Sequence, residues 1–182
     1  MVSLKERIAG VGSRFRREGP KKAVSEPVKR LRDDEKIRQE ASLSMRETII
    51  ANQARLLAQE YPQLKARIPQ EEGEKEYSLL QIGSLLTSFG KTKSEEGQCL
   101  RGIACLDSLE GEGLLEARTR LCWVVSRFHP ITDVRRSLVA FIGSWPLVSE
   151  SARVELLEWT SQHDEANEVK DYAASKLAQL KP

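Results

Sequence analysis

Histidines, paired carboxylates, cysteines and glycine-rich turns are the groups from which a catalytic or metal-binding centre would be assembled. The chain has two histidines, His129 beside Pro130 at a helix end and His163 in Gln162-His163-Asp164. That is a poor supply for a histidine-centred metal site or a nucleophile and base pair, and both residues read as surface or capping groups. The acidic pairs Glu71/Glu72 and Glu95/Glu96 fall in polar stretches, where solvent keeps carboxylates ordinary and nothing sets one as acid and the other as base. Gly10-Val11-Gly12 lacks a preceding strand and a third glycine, and no complete Walker-type loop occurs, so nucleotide binding by these routes is not expected. No catalytic residue, metal ligand or cofactor-binding residue can be assigned, and the expectation is a protein that is not an enzyme and carries no cofactor.

The three cysteines, Cys99, Cys105 and Cys122, are odd in number and include no C-x-x-C pair. Cys99 and Cys105 would face different directions on one helix, so they read as buried, reduced thiols, which suits a reducing cytosol. The uncharged stretch Ser137 to Ser149 spans thirteen residues and contains Pro146. It is too short to cross a bilayer core of about 30 Å. Lys5, Glu6 and Arg7 interrupt the apolar run that a secretory signal needs, so export is not indicated and an intracellular, cytoplasmic location is expected.

Charge divides the chain. Residues 1–32 carry ten Lys or Arg against three Glu, a balance of +7, so the remaining residues sum to −5 under the overall +2. Arg14, Arg16, Arg17, Lys21, Lys22, Lys29, Arg30 and Arg32 are the candidate contacts to an anionic partner. Leu4, Ile8, Val11 and Phe15 recur at helical spacing and define a candidate amphipathic face, although Gly10 and Gly12 weaken it until a partner orders the segment. Gly19-Pro20 is a hinge, a second helix starts near Pro27, and the charged run Arg32 to Lys36 reads as solvent-exposed. A basic arm over 1–41 thus precedes a body over 42–182.

The body reads as all-α, a helical array or bundle of about six to seven helices, because its apolar residues arrive at helical spacing and alternating β-branched runs are few. Ser44-Met45-Arg46-Glu47 has the form of a capping box and predicts a helix over 45–60. Pro62 and Pro69 bracket a turn-rich segment, residues 70–74 read as a loop, and Leu79, Ile82, Leu86 and Phe89 form a helix closed by Gly90. After a polar loop over 90–97 come a helix through Cys99, Ile103 and Leu106, and another from Leu114 to Phe128 stopped by His129-Pro130.

The last fifty residues repeat. Thr132-Asp133-Val134-Arg135 aligns with Asn167-Glu168-Val169-Lys170 at an offset of 35, and the match continues through Leu138 with Ala173, Val139 with Ala174, Ile142 with Leu177 and Trp145 with Leu180. A helix over 149–161 lies between the copies, and repeat-like units fall near 97–131, 132–166 and 167–182. The Asp-Val-Arg opening and the small and leucine-like positions that follow resemble HEAT-type helical repeats. That resemblance implies a short α-solenoid of helix pairs presenting a groove or ridge to a partner, and implies no chemistry.

The function expected first is therefore a non-enzymatic interaction or scaffold protein that binds a protein partner or a second copy of itself. Arg135, Arg136 and Trp159 are its candidate contacts on helix faces; Trp123 and Trp145 read as core. The alternatives are sequence-independent binding of RNA or DNA through the basic arm, as in a coat or nucleocapsid protein, and attachment of residues 2–17 to an anionic membrane surface.

Overall fold

The structure, a computed structural model, describes residues 26–70, 73–89 and 92–180, with side chains described from Ile37 onward apart from Arg38 and Gln70. The chain divides into two units, Met1–Ile37 and Arg38–Pro182. Of the first, only the helical backbone over 26–37 is described. The basic residues Arg14, Arg16, Arg17, Lys21 and Lys22 and the face Leu4, Ile8, Val11 and Phe15 lie outside the described residues, as do the side chains of Lys29, Arg30 and Arg32.

The described residues are mostly helical: α1 (Glu26–Glu60), α2 (Leu79–Leu86), α3 (Lys93–Asp107), α4 (Leu114–Phe128), α5 (Thr132–Ile142), α6 (Glu150–His163) and α7 (Asn167–Leu180). None of them is long and apolar enough to cross a membrane. In α1 the expected start at Ser44 is overturned, because the helix runs unbroken from Glu26 through Ser44. A capping sequence marks a start only where the preceding backbone leaves the helix, and here the Ser44 carbonyl stays in register and accepts from Thr48 Oγ1. Residues 39–45 are exposed on every face. From there Ile50, Ala54 and Leu57 turn a buried stripe into the body. Arg46 pairs with Glu165 and Glu60 with Arg120, both at 2.6 Å, which lays this part of α1 along α4 and the α6–α7 connection.

The segment expected as turn and loop is a small sheet. Strands β1 (Lys65–Gln70), β2 (Gly73–Ser78) and β3 (Leu109–Glu110) pair antiparallel in the order β2-β1-β3. Ala66 is opposite both Tyr77 and Leu109, and all three are buried. On the other face Glu76 holds Lys65 at 3.1 Å and Arg67 at 3.2 Å. Helix α2 then starts in a capping box, with Gln81 answering Ser78, and stops at Leu86 with Thr87 as its cap, short of the expected Phe89 and Gly90. The polar loop expected over 90–97 is shorter too: Thr92 and Glu95 form a second capping box that opens α3 at Lys93.

From α3 onward the chain is an array of helices joined by short connections. At an offset of 35, Ala117, Leu121, Cys122 and Val125 of α4 correspond to Ala152, Leu156, Leu157 and Thr160 of α6, and all eight are buried. The correspondence reaches the polar contacts. Arg118 donates to the Leu106 and Asp107 carbonyls at the end of α3, and Arg153 donates to the Gly143 carbonyl at the end of α5, each satisfying carbonyls that a helix terminus leaves free. Between α5 and α7, Val134 and Leu138 match Val169 and Ala173, all buried, whereas Val139 is buried and Ala174 is exposed. One continuous core runs from Ile50, Ala54 and Leu57 of α1 through the sheet and α2 to Val169 and Ala173 of α7.

Candidate functional site

The groups that could carry chemistry are occupied with structure. Cys99, Cys105 and Cys122 are free and buried, and burial pushes their thiols up to about 11, 11 and 12, away from the reactive thiolate. Glu95 is the capping carboxylate of α3, held below its ordinary range by the Thr92 hydroxyl and backbone N–H. Gly90-Lys91-Thr92 has the ending of a phosphate loop. However, Leu85 stands where that loop needs its first glycine, a helix precedes it rather than a strand, and Thr92 serves as the helix cap. Among the described residues no group of three or more His, Cys, Asp or Glu is placed to hold a metal ion.

His129 departs from the expected surface position. It caps α4 but is fully buried, edge-on to Phe89 at 5.0 Å. The Ile131 N–H donates to Nδ1 at 3.2 Å, so the ring proton is on Nε2, which donates to the Leu86 carbonyl at 3.1 Å. Burial lowers its pKa to about 4.

The three candidate contact residues do not share a surface. Arg135 is not on an exposed face; this expectation is corrected by its burial and by its partners. Its guanidinium reaches Asp164 through two bonds of 2.9 and 3.0 Å and donates to the His129 and Pro130 carbonyls at 2.7 and 3.1 Å. Asp164 in turn accepts from the Ala166 N–H at 2.8 Å. The pair therefore ties the α4–α5 connection to the α6–α7 connection, and a charge can be buried there because each of the three guanidinium nitrogens donates to an acceptor. Arg136, one residue on, is exposed and lies over the Tyr172 ring of α7 at 5.8 Å.

Trp159 has company that was not foreseen. It is half-buried on α6, stacked at 5.2 Å on the exposed His163 one turn later, whose Nδ1 is 3.0 Å from the Trp159 carbonyl. From α4 the exposed Arg127 sets its guanidinium against two indoles, 4.5 Å from the ring of Trp123 and 4.9 Å from that of Trp159. Trp123, Arg127, Trp159 and His163 thus form a ladder of three rings and one guanidinium across the surface of two adjacent helices. Trp123 and Arg127 are four residues apart, as are Trp159 and His163, and the two pairs are offset by 36. That spacing is the sequence signal for the ladder, hidden because Trp123 was placed in the core. Trp145, by contrast, is a core residue, stacked on Phe141 and donating from Nε1 to Asp107 at 2.7 Å.

Comparison of the chain with protein-family models, with characterised proteins and with solved structures gives no match.

Proposed function

We propose that this is a non-enzymatic interaction protein whose helical array binds a protein partner through the surface of α4 and α6. The observation that carries the reading is the Trp123-Arg127-Trp159-His163 ladder: two large half-buried indoles, of which Trp123 also packs against the core, gathered with an exposed arginine. Trp and Arg dominate the few positions that supply most of the energy of a protein interface, because each combines a large apolar area with a directional polar group. Holding Arg127 against rings removes rotamer freedom before a partner arrives, which lowers the entropy cost of docking. A reducing, cytoplasmic setting belongs to the same reading, supported by three buried thiols without a disulfide.

The test is site-directed photo-crosslinking of the full chain in extract from its own source. A crosslinker at Gln162, beside the ladder, is expected to trap a discrete protein adduct that a crosslinker at Glu74 on the sheet does not. Trp123→Ala with Trp159→Ala is expected to reduce that adduct at least about tenfold, the loss of one hot-spot contact. An adduct indifferent to both substitutions would place the partner elsewhere. A second reading, binding of RNA, DNA or an anionic membrane through the N-terminal arm, is favoured by the +7 balance of residues 1–32 and is compatible with the first.

A further inference from the structure

We infer that Arg127 is a preset anion clamp and that the partner segment it receives presents a carboxylate flanked by apolar side chains. This rests on the reading of the α4 and α6 surface as protein-binding.

A guanidinium has two flat faces and a rim of five N–H donors. The Arg127 guanidinium carbon lies 4.5 Å from the ring centre of Trp123 and 4.9 Å from that of Trp159, so both indoles pack against it. Among the described residues no acceptor takes a hydrogen bond from that rim. Arg46, Arg67, Arg120, Arg135 and Arg153 each pair with a carboxylate of the chain, whereas Arg127, like Arg136 over Tyr172, lies against a ring and has no ion pair among the described residues. Arg127 is positioned by rings instead, so its bonding capacity is held in place and unspent. A guanidinium held in this way suits two parallel N–H···O bonds to a planar carboxylate.

Phosphate also accepts from an arginine fork, so the choice of ligand rests on charge and apolar area. The ladder offers one permanent cation against two indoles. A nucleic acid brings a charge at every step, and residues 33–182 carry a net −5 that opposes a polyanion. A single Asp or Glu with aromatic or aliphatic neighbours matches both the one cation and the indole surfaces beside it.

The experiment selects a phage-displayed library of random twelve-residue peptides on the full chain, then titrates the enriched peptides by tryptophan fluorescence. Arg127→Lys, Trp123→Ala, Trp159→Ala and a single-stranded RNA twenty-mer complete the panel, with thermal melts verifying that each variant is folded. Enriched peptides are expected to share an Asp or Glu beside an apolar residue. Arg127→Lys, which keeps the charge but loses the planar fork, is expected to weaken them about tenfold or more, as is Asp→Asn or Glu→Gln in the peptide. Peptides that depend on both tryptophans but tolerate Arg127→Lys, or that carry no acid, overturn the clamp while leaving the protein-binding surface standing. Failure to enrich any peptide, or binding indifferent to the tryptophans, removes both. RNA binding lost in Arg127→Lys, with no peptide bound, overturns the carboxylate assignment in favour of nucleic acid.

Discussion

His129 and Asp164 occupy equivalent places 35 residues apart, each at the C-cap of a helix and each accepting the backbone N–H two residues on. Protonating His129 would set a second N–H against that of Ile131, inside the core and near the Arg135 guanidinium, and the folded ring resists this until about pH 4. In the unfolded chain the same imidazole takes up its proton near pH 6.5. The folded pKa is therefore depressed, so the contribution of neutral His129 is complete above about 6.5 and is lost as pH falls from there towards 4, where the unfolded state binds a proton that the folded state cannot. A shift of this size corresponds to about 2–4 kcal/mol across that window. Urea unfolding at pH 7.0 and 4.5 is expected to give a large drop for the natural chain and a smaller one for His129→Gln, itself less stable at pH 7.0. Equal drops in the two proteins would show that the ring titrates freely.

Element boundaries were legible wherever one helix face repeats and a strong stop follows. Helix α4 ends at Phe128 before His129-Pro130, and α5 and α7 open at Thr132 and Asn167 as the offset of 35 predicts. The sheet was not read, although Leu64, Ala66 and Ile68 alternate with Lys65 and Arg67 in the two-residue period of a half-buried strand. Pro62 and Pro69 drew attention to turns, and Pro69 is in fact accommodated near the end of β1. Arg135 was misplaced for a different reason: a charge whose carboxylate partner lies 29 residues away looks solvent-exposed to any local pattern. Close helix approach is equally invisible in one dimension. Gly83 of α2 faces Ala54 of α1 so tightly that a Cβ added there would stand 2.5 Å from the Ala54 Cβ. Gly83→Ala is expected to destabilise by about 1–3 kcal/mol through overpacking, despite the better helix propensity of alanine. Adding Ala54→Gly reopens the contact, so the double variant is expected to be more stable than the sum of the two single effects, as read by denaturant midpoints in a double-mutant cycle. Simple additivity would mean that the helices shift apart at no cost.

Across the whole molecule, charge is divided between a basic N-terminal stretch and an acidic body, and the ladder on α4 and α6 belongs to the second. If the first binds polyanions, that activity is separable from the ladder. Each phosphate neutralised releases counterions, giving a slope of log affinity against log salt of about −0.9 on duplex DNA and about −0.7 on single strands. The full chain is expected to bind RNA and DNA thirty-mers without sequence preference at low salt. Replacing Arg14, Arg16, Arg17, Lys21 and Lys22 by Gln is expected to flatten the slope by up to about five such increments. Anionic vesicles separate the membrane alternative: changing Leu4, Ile8, Val11 and Phe15 to Ser removes the apolar contact that an interfacial helix needs, and leaves the cations that a nucleic acid reads. Loss of vesicle binding with RNA binding intact assigns the arm to a membrane, whereas parallel retention of both assigns it to charge alone. Neither set of substitutions is expected to alter the peptide affinity measured at Trp123 and Trp159, where the contacts are made by residues of α4 and α6. A slope unchanged by the five Gln substitutions would remove the arm from polyanion binding and leave the proposed docking of a protein on α4 and α6 as the reading that the peptide titrations decide.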